Sequence, residues 1–310
     1  GLLTVYTPTG IPTFETGSIE NPQEVIQFGP LAEELGYDSV WVMDHLFNNG
    51  YIRERLDDKP YYHPMATLSH ISALTSQIRL GTSVLVLPYH NPVELAKYAA
   101  TLDQMSGGRV VLGVGVGAMT PEFEALGISL NQRGSLTNES MAIMRELWAN
   151  EDPRYSSSRW EFSDLKFSPK PAQQLSGVPS IPLWVGGNSP GALRRAGRRG
   201  DGWHPSGVSA EEFAIGRRQV RELAESAGRD PDDLVMSVRV EVEAHGTPSS
   251  QRAADRARLP GNDPAGMAAG IAAYRDAGAE HVALALNTGD VNRIRELMHV
   301  LAEDVIPQFR

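Results

Sequence analysis

An acid beside an imidazole, Asp44-His45, directly follows the apolar run SVWVM (39–43). At a strand end such a pair can take up or release a proton, or donate a hydrogen bond to a ring. A solvated loop pair is the plain alternative. Glycines form another group: RVVLGVGVGAM (109–119) places Gly113, Gly115 and Gly117 two residues apart. The dinucleotide fingerprint G-x-G-x-x-G needs its third glycine where Ala118 stands. A spacing of two is the strand period, so the three glycines share one face and Val114 and Val116 the other. A bare face admits a flat ligand or the close approach of another backbone, and the residues alone leave both open. Farther along, Gly186-Gly187-Asn188 runs into Ser189-Pro190. Backbone N–H groups of such a turn and helix start could seat a phosphate, although an ordinary capped turn reads the same. Thr120-Pro121 offers another helix start, and Trp203-His204-Pro205 could line a pocket with flat and polar groups. Arg194, Arg195, Arg198 and Arg199 read as a solvated helix face.

These residues need elements to hold them. Apolar, β-branched runs alternate with helical patterns along the chain. Strands are expected at 2–7, 39–43, 78–87, 109–117, 182–187, 201–205, 234–243 and 281–286. Between them, helices are expected near 22–35, 65–76, 92–106, 135–149, 190–199, 209–227, 264–277 and 289–303. Asn21-Pro22 and Asn91-Pro92 are helix starts, and Gly36 and Gly107-Gly108 are stops. A βα unit repeated about eight times implies a parallel sheet, and this length suits a (β/α)8 TIM barrel; a doubly wound open sheet is the alternative. One domain is expected over 1–310, with insertions at about 46–64, 150–180 and 244–262. Within 150–180, the stretch SRWEFSDLKFSP has the pattern of a strand pair, and 244–262 has the composition of a mobile lid.

The chain has 310 residues, a net charge of -10 and no cysteine. The charge argues against nucleic acid or an anionic membrane surface as a partner. Without cysteine there is no disulfide, thiolate metal site or cysteine nucleophile. No H-x-H, H-E-x-x-H, P-loop or G-x-S-x-G pattern occurs, so metal is a minor hypothesis resting on Asp44, His45 and His204. With no secretory pattern and no long apolar run, a cytoplasmic location is expected.

Taken together, DSVWVMDHLF, the long stretch from IRLGTSVLVLPYHNP to GGRVVLGVGVG, EFEALGI, FSPKPAQ and PLWVGGNSPGALRRAGRRGDGWHP resemble the luciferase-like monooxygenase superfamily. The likeness is to its branch of coenzyme F420-dependent (deazaflavin) oxidoreductases. The resemblance implies a TIM barrel with a flavin or deazaflavin across its C-terminal mouth, and a homodimer. It places Asp44 and His45 beside the ring as the catalytic pair. It places Ser83-Val84 at a bulge, where the family often has a non-prolyl cis peptide against the ring. Gly115 and Gly117 then line the cofactor slot, and Gly186, Gly187, Asn188 and Ser189 touch the phosphate side. Phe47, Trp203 and His204 are expected in the substrate pocket. In the sugar-phosphate dehydrogenase branch a glutamate follows the last glycine and a tryptophan follows the acid–histidine pair; here Ala118 and Phe47 stand there, which argues against glucose 6-phosphate as substrate. The expected activity is hydride transfer between coenzyme F420 and a small organic substrate, with a separate coenzyme reductase as a further partner. An FMN-dependent two-component monooxygenase is the alternative. A non-catalytic flavin-binding protein and a metal-dependent hydrolase stand behind it.

Overall fold

The computed structural model describes residues 21–47, 60–243, 257–286, 288 and 290–310. Eight strands form one sheet. They are β1 (Ser39–Val42), β2 (Arg79–Val86), β3 (Val110–Gly115), β4 (Leu183–Gly186), β5 (Gly202–His204), β6 (Val235–Glu243), β7 (Arg258–Pro260) and β8 (His281–Leu286). Neighbours follow chain order from β1 to β6, and β7 and β8 both pair with β6. Every pairing in this sheet is parallel. Parallel neighbours need a crossover, and helices supply most of them. These are α1 (Pro22–Glu34), α2 (Pro64–Leu74), α3 (Pro92–Ser106), α4 (Thr120–Ala125), α5 (Arg133–Ala149), α6 (Pro190–Arg199), α7 (Ala210–Glu225), α8 (Pro264–Asp276) and α9 (Val291–Val300).

The sheet curls until its first and last strands face each other. Ser39 Oγ of β1 lies 3.2 Å from His281 Nε2 of β8. The described strands include no backbone pairing between β1 and β8. The expectation of a closed (β/α)8 barrel is thus met as a curled parallel sheet, and the strand expected at 2–7 lies outside the described residues.

The strand period sorts residues between two cores. Val40 and Val42 of β1 face the helices and join the large outer cluster. Trp41 faces the interior, where it packs with Val111, Trp184 and Ala283. A β-carbon on Gly81 would sit 2.3 Å from Trp41, and one on Gly202 2.7 Å from Trp184, so glycine is required where the two indoles lie. Helix ends follow the side-chain signals. The Asn21 side chain accepts from Gln23 N, that of Asn91 accepts from Val93 N and Glu94 N, and Gly107 closes α3 at φ 72°.

Several expectations change. In SRWEFSDLKFSP only Glu161–Phe162 is a strand, and it pairs upstream with Tyr155–Ser156; another short pair joins Gln174–Leu175 to Val178–Pro179. Part of the expected lid, Arg258–Pro260, is a strand in register with Glu241–Glu243, while 244–256 lie outside the described residues. The helix expected over 289–303 is α-helical only to Val300 and then widens into a π turn over Leu301–Val305. Arg195 leaves the solvated arginine face. It is buried, with Nε donating to Asn138 Oδ1 at 2.7 Å and Nη2 to the Gly134 carbonyl, and so it ties α6 to α5.

Candidate active site

The residues chosen at strand ends, with Ser83 and Val84 from the family resemblance, converge on one cavity of about 320 Å³ at the C-terminal ends of the parallel strands. Asp44 and His45 line it from beyond β1, Ser83 and Val84 from β2, Gly115 and Gly117 from β3 and its continuation. Gly186, Gly187 and His204 line it from β4 and β5. Loops beyond strand C-termini are where open and closed parallel sheets build their sites. A larger cavity of about 690 Å³ opens between α2 and α3 on the outer layer; no strand-end residue reaches it, so size alone does not choose the site.

The bulge on β2 organises the cavity floor. The register between β2 and β3 shifts between Thr82 and Leu85, placing Ser83 and Val84 opposite Gly113, and the Ser83-Val84 peptide is cis. This accounts for the glycine face and corrects the expectation of an open slot along it. A β-carbon on Gly113 would lie 2.0 Å from the Thr82 carbonyl oxygen. One on Gly115 would lie 2.5 Å from Val84 Cγ2, and one on Gly186 2.7 Å from Val84 Cγ1. At Gly117 (φ 73°) the neighbours would be Val86 and Phe123. The glycines therefore make room for the bulged strand, and Val84, seated between Gly115 and Gly186, becomes the cavity surface there.

The acid and imidazole do not pair with each other. Asp44 is buried, and its Oδ2 accepts from Val86 N (2.9 Å) and bonds His90 Nε2 (2.7 Å). Its other oxygen, Oδ1, is buried with no hydrogen-bond partner among the described residues. His45 instead turns Nδ1 to Glu122 Oε1, at 3.4 Å. Glu122 is wholly buried. Its Oε1 accepts from Leu46 N (2.7 Å) and Phe47 N (3.3 Å), and its Oε2 accepts from Tyr89 Oη (2.6 Å). Burial pushes the Glu122 carboxyl up, but the contacts of His45, Tyr89 and Leu46 N outweigh it and hold the carboxyl below its ordinary value. Burial, with Glu122 as hydrogen-bond acceptor, pushes the Tyr89 phenol up.

Other candidates separate. Trp203 is not a pocket residue. The strand period turns it outward, where it stacks on Phe213 at 5.2 Å and donates to the Gly187 carbonyl. His204, one residue on, faces inward; burial, with Arg239 nearby, lowers its pKa to about 3, so it is neutral. Asn188 and Ser189 stand exposed beyond the cavity lining, and Ser189 Oγ caps α6 at Ala192 N. Phe47, about half exposed at the edge of the described residues, does not reach the described lining. Among the described residues no His/Cys/Asp/Glu group could hold a metal ion, and no helix is long and apolar enough to cross a membrane.

Sequence reasoning missed Glu122, Tyr89, His90, Ser206 and Arg239. Glu122 lies in the run PEFEAL with Glu124, and nothing local marks the first as buried and the other as exposed. Ser206 and Arg239 line the cavity from beyond β5 and from β6. The strand period puts Arg239 on the same face as Ser237 and Glu241, but only the curled sheet shows that face to be the inner one.

The model of the luciferase-like monooxygenase family matches residues 3–302. The chain belongs to that family. Among curated members, the F420-dependent glucose-6-phosphate dehydrogenase of Amycolatopsis mediterranei is 28% identical over 227 residues, covering 71% of this chain and 65% of that protein. The 5,10-methylenetetrahydromethanopterin reductase of Methanolobus tindarius is 30% identical over 212 residues, covering 68% and 58%. The chain thus spans somewhat under two thirds of the length of these relatives. Among solved structures, an F420-dependent secondary alcohol dehydrogenase in complex with an F420-acetone adduct superposes with a TM-score of 0.79 at 21% identity, covering 99% of both chains. That likeness establishes the shared fold.

Proposed function

We propose that this member of the family is a coenzyme F420-dependent oxidoreductase that moves a hydride between the coenzyme and a small organic substrate. One observation carries the reading: a half-buried imidazole, an unpartnered buried carboxylate oxygen and a bulged valine surface meet in one cavity. The name of the similar F420-dependent glucose-6-phosphate dehydrogenase supports the choice of coenzyme. The residues fit such a group. Val84 offers an apolar seat for a ring, Asp44 Oδ1 an acceptor for an N–H or O–H, and the Gly186-Gly187 turn before α6 a seat for a phosphate.

When bound, the coenzyme supplies hydride chemistry at its C5. The chain supplies position and one proton. His45, with Nδ1 held toward Glu122, has Nε2 left to give or take a proton at the substrate's heteroatom. His204 cannot share this task, because it is neutral and both its nitrogens are bonded within the interior. Ala118 lines the cavity where another acid would stand, so a substrate needing two proton-transfer groups is disfavoured.

Parallel fluorescence titrations with F420 and FMN test the reading. Binding of F420 in preference to FMN is expected; binding of FMN alone overturns it in favour of the monooxygenase. With F420 bound, His45→Ala is expected to keep coenzyme affinity and to lose about 10²–10⁴-fold in turnover across a panel of small alcohols. Glucose 6-phosphate is expected not to reduce the coenzyme.

A further inference from the structure

A file of alternating serines and histidines runs through the interior of the sheet, and it ends at the cavity. Trp41 Nε1 donates to Ser39 Oγ at 2.8 Å. Ser39 Oγ meets His281 Nε2 at 3.2 Å, and His281 Nδ1 meets Ser237 Oγ at 2.7 Å. Ser237 Oγ meets His204 Nδ1 at 2.7 Å, and His204 Nε2 meets Ser83 Oγ at 2.9 Å. All five of the serines and histidines are at most 5% exposed, and Ser83 lines the candidate site.

Proton positions along such a file follow from counting donors. Both imidazoles are neutral: burial, with Arg239 near His204 and with His204 and Arg79 near His281, lowers their pKa values, so each ring has one N–H and one lone pair. Each serine has one hydrogen to donate. If every bond runs from Ser39 toward Ser83, Ser39 donates to His281 Nε2 and His281 Nδ1–H donates to Ser237. Ser237 then donates to His204 Nδ1, and His204 Nε2–H donates to Ser83. Every buried donor is used, and the one hydrogen left over belongs to Ser83. Among the described residues, the reverse direction leaves the Ser39 hydroxyl hydrogen without an acceptor beneath the indole. A split direction, with both rings donating to Ser237, strands the hydrogen of a serine that is wholly buried. An unmet buried donor is the costly outcome, so the first arrangement wins.

We infer that Ser83 presents its hydroxyl hydrogen to the cavity, and that the bound ring sets a hydrogen-bond acceptor, a carbonyl oxygen or an unprotonated ring nitrogen, against it. This rests on the proposed coenzyme site for the identity of the ring. The direction of the hydroxyl does not depend on that identity. The file thereby makes Ser83 a one-way reader. A ligand offering a donor at this point either takes the second lone pair of Ser83 and leaves its hydrogen unmet, or reverses four bonds and strands a hydroxyl near the seam between β1 and β8.

The test begins with the free protein labelled with ¹⁵N at its eight histidines. Long-range ¹H–¹⁵N spectra at pH 7 are expected to show His281 protonated at Nδ1 and His204 at Nε2, both neutral. A proton on His204 Nδ1, or a cationic ring at either position, overturns the inference. Titration of F420 into wild type and Ser83→Ala is then expected to show an affinity at least about tenfold lower in the variant. In that variant His281 is expected to keep its Nδ1 proton. Equal affinities overturn the contact to the ring. Failure of wild type to bind F420 counts against the proposed function instead, and the tautomers still decide the direction of the file.

Discussion

Two buried carboxylates sit at the mouth of the sheet and differ in what their oxygens are given. Glu122 of α4 has both oxygens engaged: two backbone N–H groups and His45 at one, Tyr89 at the other. Asp44, just past β1, has one oxygen engaged and the other buried with no hydrogen-bond partner among the described residues. A buried acceptor left unmet costs free energy, and a fold retains it where something else completes it. Glu122 is thus a brace that fixes the chain after β1 and the imidazole upon it. Asp44 is half brace, with one oxygen left over for the ligand proposed above. The difference teaches that burial and charge alone do not distinguish the two carboxylates; the count of unmet lone pairs does.

The contrast can be broken by substitution. Glu122→Leu strands Leu46 N, Phe47 N and the Tyr89 hydroxyl together. It should cost the most stability, about 3–5 kcal/mol in urea unfolding, with Asp44→Asn costing only about 1 kcal/mol. Equal losses would erase the distinction. The order should invert in ligand binding: Asp44→Asn is expected to lower F420 affinity about tenfold, and Glu122→Gln to leave it within about threefold while lowering turnover through His45.

Acid sharpens the same contrast. The Glu122 carboxyl titrates lower in the folded protein than its ordinary value of 4.5. The unfolded chain therefore takes up its proton first as pH falls. The stability this group contributes is full above about pH 4.5 and declines as pH drops through the lower folded value, by at most about 1.4 kcal/mol per pH unit. Wild type and Glu122→Gln should accordingly converge in stability below that window, and curves that stay parallel to pH 3 would contradict the brace. The smallest effect on function is expected at Trp203→Phe, which keeps a ring beside Phe213 but loses one hydrogen bond and the buried indole edge beside Gly216. About 2 kcal/mol of stability should go, with KM and kcat unchanged; altered kinetics would return Trp203 to the pocket.

Much of the site was legible because strand ends are written locally. Alternation of β-branched runs with capped helices placed Asp44-His45, Gly115 and Gly186 toward the ends of parallel strands, the family resemblance added Ser83-Val84 within the second of them, and these residues do converge. What could not be read was the partner of each group. Glu122 and Glu124 are equivalent in sequence, and only the packing of α4 against the chain after β1 buries the first. The glycine run was legible as a bare strand face, but what fills the bareness, Val84 and the Thr82 carbonyl, comes from a register shift in the neighbouring strand.

The sequence by itself determined the order of elements, the caps that bound the helices and the two-residue period that sends Trp203 and His204 to opposite faces. Those are properties of neighbours along the chain, set by backbone geometry and side-chain shape. Only the tertiary structure decided which face is the interior, which carboxylate has an oxygen left over and which way the serine–histidine file donates. Each of these depends on hydrogen-bond partners dozens to hundreds of residues apart, and saturation of a donor or acceptor is a property of the assembled set.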